Sequence, residues 1–245
     1  MQTRRKFIST CVTTIVSISL LPSLLKQAGS WASIESFPVL LYHRVGPEPD
    51  ALTITEDRLM EDLRYLADRG YHAVSLEQAE KYMTGQDTIN GKPVLLTFDD
   101  GYLNNYTKAF PILQDFSMTA TFFIITGMVG QPNRLNRFQM KEMAAAGMSF
   151  GSHTVSHRPL GDLDGKQAIA ELVKSKGDLE DMLGKKTEFV AYPCGSFKHE
   201  TILAARDAGY KGGFTTQNGI ARFYKDHLMI SRIPVFRHDH SLSLA

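Results

Sequence analysis

The sequence predicts an α/β fold built on a parallel sheet, either a barrel or a doubly wound sheet. Short apolar or β-branched runs alternate with amphipathic stretches at helical spacing along most of the chain. Such alternation is typical of parallel strands joined by helices. Polar residues also follow the ends of several predicted strands, where α/β proteins build their sites. No repeat or linker follows Ser36, so one domain is the economical interpretation.

The predicted elements alternate in order along the chain. Thr55 and Ser75 are expected to cap the first two helices, and Ser75 forms a capping box with Gln78. Gly70 ends the first helix, and Pro111 is expected to kink or interrupt the third. The predicted strands cover residues 38–42, 72–74, 94–98, 119–125, 148–150, 189–192, 211–215 and 227–230. The later helices are predicted at 105–116, 138–146, 166–183 and 200–208.

Composition and charge are those of an ordinary globular protein. The 245 residues are 43% hydrophobic and 22% charged, with a formal net charge of +1. The first 32 residues hold basic side chains and no acid, so the rest of the chain is slightly acidic. This balance does not favour nucleic acid as a partner. Cys194 would be a lone thiol in the mature chain, because the other cysteine, Cys11, lies in the N-terminal segment.

Residues 1–32 are predicted to be an export signal. Arg4-Arg5-Lys6 precedes an apolar stretch, and Ser30-Trp31-Ala32 fits a small-x-small cleavage site. The segment from Thr3 to Ile8 resembles a twin-arginine signal, with a Sec-type signal or an uncleaved anchor as the alternatives. We therefore expect a periplasmic or extracellular protein with no membrane span once the signal is removed.

Polar residues at the strand ends form the candidate site. The buried run 94–98 ends in Asp99 and Asp100, two acids that are costly there unless a metal, a cation or hydrogen-bond donors compensate them. A helix cap or an ordinary Asp-Gly turn is the alternative. Because parallel strands share one carboxyl edge, we expect the strand-end side chains to lie together. The others are His43, His153, Arg232 and Pro193-Cys194-Gly195.

His153 and His157 are spaced as two ligands of one metal would be. On a helical turn, residues four apart share a face, although surface or capping histidines are the alternative. With Asp100 they form a two-His-one-carboxylate set that leaves coordination positions open, as catalytic sites require. Zinc is the default metal, and iron, cobalt or nickel also suit these ligands. Asp99 could then act as a general base on a metal-bound water, with His43 as the acid.

Three motifs resemble those of the polysaccharide deacetylases, the carbohydrate esterase family with the nodulation-type domain. They are Thr97-Phe98-Asp99-Asp100-Gly101, His153-Thr154-Val155-Ser156-His157 and Tyr192-Pro193-Cys194-Gly195, in the family's order and spacing. The resemblance covers roughly Phe37 to Val235, and Leu41-Tyr42-His43-Arg44-Val45 resembles the branch acting on poly-N-acetylglucosamine.

The resemblance implies a distorted, incomplete (β/α) barrel over residues 37–245 that deacetylates an N-acetylated polysaccharide. It also implies roles for the site residues. Asp99 would be the base, Asp100, His153 and His157 the metal ligands, and His43 a candidate acid. The backbone N–H of Cys194 would join the oxyanion hole, and Tyr192 and Pro193 would shape the groove.

The chain departs from the family pattern in its third and fifth motifs. Ala191 stands where the family has an arginine that holds the catalytic aspartate, and Cys194 stands at an aromatic position. We predict that Arg232 replaces that arginine; a structural ion pair is the alternative. Cys194 is either a small apolar residue or an oxidant-sensitive thiol near the metal. The Leu-x-His motif is not evident, and His238 and His240 lie in a polar tail predicted to be frayed.

The leading hypothesis is a metal-dependent N-deacetylase of an exported or wall polysaccharide, and the His43 motif favours poly-β-1,6-N-acetylglucosamine as that polymer. A peptidoglycan or chitin-type deacetylase, or an amide hydrolase with a small non-sugar substrate, is the nearest alternative. A glycan-binding module without catalysis is the third. Such a module is expected to have lost the base or a ligand, whereas Asp99, Asp100, His153 and His157 are all present.

Overall fold

Seven parallel strands close into a barrel in the computed structural model, which describes residues 36–222, 226–239, 241, 242 and 244. The predicted signal (residues 1–32) and His240 lie outside these residues. The first six strands are β1 (Ser36–Phe37), β2 (Val39–Tyr42), β3 (Arg44–Val45), β4 (Thr53–Ile54), β5 (Tyr71–Ala73) and β6 (Lys92–Phe98). The others are β7 (Thr121–Ile124), β8 (Ser149–Ser152), β9 (Phe189–Ala191), β10 (Gly212–Asn218), β11 (Ala221–Arg222) and β12 (Ile230–Pro234). The α-helices are α1 (Glu56–Asp68), α2 (Leu76–Met83), α3 (Phe110–Asp115), α4 (Arg137–Ala145), α5 (Gly165–Leu183) and α6 (His199–Asp207).

The strand order around the barrel is β2-β12-β10-β9-β8-β7-β6, and β2 pairs with β6 to close the ring. Every pair in the ring is parallel, and β5 extends the sheet beside β6. The predicted α/β class and distorted, incomplete barrel are confirmed. The barrel has seven strands where a full (β/α) barrel has eight. Between β10 and β12, the described residues form β11 and a loop instead of a helix.

The core lies in three layers. Large side chains fill the barrel interior, among them Leu95, Phe123 and Phe214, all 1% exposed or less. One outer layer packs against α1, α3 and α4, and the other against α5 and α6. Each such side chain contributes about 1.5–3 kcal/mol on burial. A rigid barrel therefore supports the loops at its carboxyl edge.

Local sequence signals set the helix boundaries as predicted. Thr55 Oγ1 accepts a hydrogen bond from Arg58 N at the start of α1, and Ser75 and Gln78 form the capping box of α2. The predicted interruption near Pro111 is also confirmed. Asn105–Ala109 is a π-helical turn, closed by Phe110 N to Asn105 O, and α3 follows it.

Two predictions near the C-terminus are wrong. The last strand is Ile230–Pro234 and not 227–230, because Asp226 turns the chain by accepting from Leu228 N at 3.0 Å. Arg232 therefore lies inside a strand and not past its end. The tail that holds His238 is also packed where it is described: Asp239 Oδ2 accepts from Phe236 N at 2.7 Å, and Leu242 is 6% exposed. No helix of the described chain is long and apolar enough to cross a bilayer.

Candidate active site

Side chains that follow three parallel strands, and the turn that follows a fourth, lie at the carboxyl edge of the barrel. His43 directly follows β2, Asp99 and Asp100 follow β6, and His153 follows β8. Pro193 begins a 3-10 turn just after β9. Because these strands are parallel members of one closed ring, their ends converge at the same opening.

Asp100, His153 and His157 form a compact group of ligand atoms, one from each residue, all within 4.8 Å of one another. Asp100 Oδ1 lies 3.4 Å from His153 Nε2 and 3.3 Å from His157 Nε2. The two imidazole rings meet edge to face, with centroids 4.8 Å apart. Asp100 and His153 are buried, whereas the His157 side chain is 31% exposed. The group is thus open to solvent on the His157 side.

The donor set fits a divalent metal. Asp100 Oδ1 is buried and has no hydrogen-bond partner among the described residues, and such an orphaned atom is costly unless something binds it. His153 Nδ1 lies 2.7 Å from the carbonyl of Ala191. That contact places the ring proton on Nδ1 and leaves the Nε2 lone pair facing the group. Two imidazole nitrogens and one carboxylate oxygen suit zinc and its neighbours in the first transition row.

The segment from His153 to His157 is not the helical turn that the spacing suggested. Thr154 and His157 adopt left-handed backbone conformations, with φ values of 64° and 59°. Thr154 Oγ1 accepts from His157 N at 3.1 Å and closes the turn. The two rings converge because of this irregular turn, and the helical expectation is corrected here.

Asp99 is held by a buried bidentate ion pair. Arg232 Nη1 and Nη2 each donate to one Asp99 oxygen at 2.8 Å, and Arg232 Nε donates to Thr215 O at 2.9 Å. Burial alone would raise the pKa of the Asp99 carboxyl, but the charge and hydrogen bonds of Arg232 outweigh burial and lower the pKa. Asp99 Oδ2 lies 3.9 Å from His153 Nε2. An ionised carboxylate therefore stands next to the ligand group.

Asp100 titrates in the same environment. Burial raises the pKa of its carboxyl, whereas the neighbouring imidazoles in their protonated form, His153 first, outweigh burial and hold the pKa well below its usual range. His43 shows the opposite shift. Burial lowers the pKa of its imidazole, and the charges of Asp99 and Asp100 offset this only in part. Its carbonyl accepts from Asn105 Nδ2 at 2.8 Å, which fixes the backbone at the start of the loop.

The residues of the third motif, Tyr192-Pro193-Cys194-Gly195, lie partly in the core and partly at the surface. Tyr192 is fully buried, packs against Phe197 and donates to Leu228 O at 3.0 Å. Its ring belongs to the outer layer under α5 and α6, so the expectation that it shapes the groove is wrong for the side chain. Pro193 is buried, and Cys194 is exposed with a φ of 56°. After Pro193, the exposed part of this turn is therefore Cys194.

Arg134 and Tyr102 lie beside Asp100, and neither was selected as a site residue from the sequence. Arg134 Nη1 donates to Asp100 O at 2.8 Å, and its guanidinium lies 4.0 Å from the centre of the Tyr102 ring. Arg44 lies 5.0 Å from the same ring. Tyr102 follows the Asp-Asp motif by two residues, which was a usable signal. No comparable sequence signal pointed to Arg134, because it lies in a loop that is distant from the motifs along the chain.

Comparisons with known proteins agree on one family. A family model described as polysaccharide deacetylase matches residues 86–213. YxkH of Bacillus subtilis, named as a polysaccharide deacetylase, is 35% identical over 198 residues, covering 80% of this chain and 71% of that protein. The poly-beta-1,6-N-acetyl-D-glucosamine N-deacetylase of Staphylococcus epidermidis is 28% identical, covering 75% and 68%. The solved structure of Streptococcus pyogenes deacetylase PplD in complex with acetate has a TM-score of 0.79 and 33% identity, covering 83% and 93%.

Proposed function

The chain belongs to the polysaccharide deacetylase family, and from that premise we propose that it is a metal-dependent hydrolase that removes N-acetyl groups from a polysaccharide containing N-acetylglucosamine. One observation carries the proposal. The ligand group Asp100-His153-His157 and the ionised, Arg232-paired Asp99 stand side by side at the open edge of the barrel. A glycan-binding module would have no need of this pairing of ligands with a poised base.

Asp100, His153 and His157 would hold the metal, and we propose zinc, with cobalt, nickel and iron as alternatives. Three protein ligands leave positions open for water and substrate. When bound, a divalent metal lowers the pKa of its water and polarises the acetyl carbonyl. The carbonyl of Ala191 and the backbone of the 153–157 turn keep the imidazoles aimed at one point.

Asp99 is the proposed general base. Arg232 occupies one acceptor position on each carboxylate oxygen, which fixes the plane of the group and leaves each oxygen a further lone pair. Because its lowered pKa keeps Asp99 ionised at neutral pH, it can accept a proton from the attacking water. A new C–O bond then forms as the amide C–N bond breaks, giving acetate and a free amine.

His43 is the proposed acid for the leaving nitrogen. Because burial lowers its pKa, it is largely neutral at pH 7 and must take up a proton before it donates one. The backbone N–H of Cys194, on the exposed turn after β9, is the proposed donor to the developing oxyanion. Arg232 acts only through Asp99, so it is a positioning residue.

The proposed substrate is a β-1,6-linked polymer of N-acetylglucosamine. Two observations support it: the name of the S. epidermidis relative and the His43 motif of the chain. A peptidoglycan or chitin-type deacetylase is the nearest alternative, followed by a small-molecule amide hydrolase and a non-catalytic glycan-binding module.

Acetate release tests the proposal. Purified protein is assayed on β-1,6 and β-1,4 oligomers of N-acetylglucosamine, before and after chelation, beside Asp99→Asn. Metal-restored release from the β-1,6 oligomer that Asp99→Asn abolishes supports the full proposal. Release from β-1,4 oligomers alone transfers the assignment to a chitin or peptidoglycan type. No release by metal-loaded protein from any N-acetylated sugar contradicts the deacetylase function.

We also propose that residues 1–32 export the protein through the twin-arginine route. The proposal depends on the Arg4-Arg5 pair and the apolar stretch behind it. Replacement of both arginines by lysine is expected to leave the full-length precursor in the cytoplasm. Export of that variant at the normal rate would favour a Sec-type signal instead.

A further inference from the structure

A carboxylate on α5 holds the turn that carries both histidines. Glu171 Oε2 accepts hydrogen bonds from Val155 N at 2.8 Å and from Ser156 N at 3.0 Å. Its other oxygen, Oε1, accepts from Ser156 Oγ at 2.5 Å. Glu171 thus makes three hydrogen bonds to the two residues between Thr154 and His157, and it belongs to none of the three sequence motifs.

This turn needs external support because its backbone is strained. Thr154 and His157 both have positive φ, and neither is glycine. Residues in that region persist only where their surroundings over-determine the conformation. Hydrogen bonds to an ionised acceptor are roughly twice as strong as neutral ones, so the Glu171 carboxylate is suited to this task.

The two histidines are supported unequally. His153 is buried, and its Nδ1 is fixed by the carbonyl of Ala191. His157 is 31% exposed, and within the described chain its ring contacts Asp100 and His153 without a comparable carbonyl at Nδ1. The direction of the His157 ring therefore depends on the backbone of the turn.

Helix α5 supports this region at three successive positions of one face. One turn after Glu171, Ser175 Oγ lies 2.7 Å from Ser152 Oγ, which in turn accepts from Thr154 N at 3.1 Å. Further along, Asp178 accepts from Thr126 Oγ1 at 3.0 Å. A polar stripe on the inner face of a helix is costly unless every member is paired. Here Ser175 pairs with the end of β8, and Glu171 and Asp178 pair with segments that follow strands at the barrel edge.

We propose that Glu171 is a positioning residue for the metal centre: its carboxylate fixes the 154–157 turn and thereby aims His157 Nε2 at the point shared with Asp100 and His153. The inference rests on the proposed metal-dependent function. It assigns a role in metal affinity to a residue that contacts neither the ligand atoms nor the substrate. A residue that only stabilised the fold would change the melting temperature and leave the metal affinity of the folded protein unchanged.

The test measures metal affinity directly. Chelator-stripped wild type, Glu171→Ala, Glu171→Gln and Asp181→Asn are titrated with Co²⁺ against a competing chromogenic chelator, and the melting temperature of each metal-free protein is recorded. Asp181 is the matched control, because it is an exposed acid on the same helix whose side chain makes no hydrogen bond to the described residues. Acetate release at saturating metal is measured in parallel.

Removing a partner from the outer shell of a metal site typically costs 10- to 100-fold in affinity. We expect Glu171→Ala to bind Co²⁺ about tenfold more weakly or worse, and Glu171→Gln, which keeps one acceptor oxygen, to fall between it and the wild type. Asp181→Asn is expected to match the wild type. Excess metal should restore much of kcat in Glu171→Ala without a change in KM, because the residue does not touch substrate.

A folded Glu171→Ala that binds Co²⁺ within twofold of the wild type overturns the proposal. If that variant does not fold, Glu171→Gln decides: a loss of about threefold or more relative to Asp181→Asn supports the role, and equal affinity contradicts it. If the wild type itself binds no metal, that result contradicts the proposed metal-dependent function, and the proposed role of Glu171 is then contradicted as well. That failure is distinguishable because it is seen in the unmutated protein.

Discussion

Replacing Arg232 by methionine removes both hydrogen bonds to Asp99 and keeps a long apolar side chain in the barrel. The side chain of Arg232 is fully buried and Asp99 is 2% exposed, so water is poorly placed to compensate the loss. In the wild type, Arg232 lowers the pKa of Asp99 against the opposing effect of burial. Without the guanidinium, burial dominates and the pKa of Asp99 rises.

The size of the shift follows from the geometry. Two N–H donors at 2.8 Å form a fork around one carboxylate, the strongest arrangement for such a pair. An arginine next to an aspartate lowers the carboxyl pKa by about 1–3 units, and each unit corresponds to about 1.4 kcal/mol. A general base must be ionised, so activity is lost as the pH falls through its pKa. We expect the acid limb of kcat/KM to move about 1–3 units toward higher pH.

The assay is acetate release between about pH 4 and pH 9 for wild type, Arg232→Met and Arg232→Lys, each loaded with the same metal. Since all three proteins carry the same metal, the difference between profiles reports the side chain at position 232. Lysine keeps the charge without the fork, so its shift should be smaller. An acid limb at the wild-type pH in a folded, active Arg232→Met would refute the reasoning. Arg232 would then be a structural ion pair, visible only as a lower melting temperature.

Three further predictions concern the same opening. Asp99→Asn should lower kcat by at least about 10²-fold, because the asparagine amide cannot accept the proton of the attacking water. The metal content should stay near one per chain, because Asp99 is not a proposed ligand. A variant that purifies without metal would instead make Asp99 a ligand. His157→Ala should purify with little bound metal by elemental analysis, and full metal retention would remove His157 from the ligand set. Gly195→Ala should lower the melting temperature, corresponding to about 1–3 kcal/mol, because Gly195 has a φ of 64° and an added Cβ would overlap Thr216 Oγ1; unchanged melting would show that the turn relaxes freely.

Sequence signals that act over a few residues predicted most of the fold. The caps at Thr55 and Ser75 and the interruption at Pro111 depend on neighbouring backbone groups, and the structure has each of them. The buried run ending in Asp99 and Asp100 likewise placed two carboxylates at the end of a strand. Since parallel strands end at one edge, this local pattern was sufficient to predict that His43, Asp100 and His153 converge.

Tertiary structure decided what depends on contacts between distant residues. Arg232 and Asp99 are 133 positions apart, and their pairing requires β12 to lie between β10 and β2 in the closed ring. The sequence also did not predict that the Tyr192 side chain faces the outer layer. Neighbouring residues of a strand face opposite sides of the sheet, so an error of one position in the strand's register exchanges the inward and outward side chains. The irregular turn before His157 depends on Glu171 from α5. Sequence patterns thus determined that His43, Asp99, Asp100 and His153 reach the opening. Long-range packing added Arg134 and Tyr102 and determined how each group is aimed, since a side chain's direction is set by neighbours that lie far away along the chain.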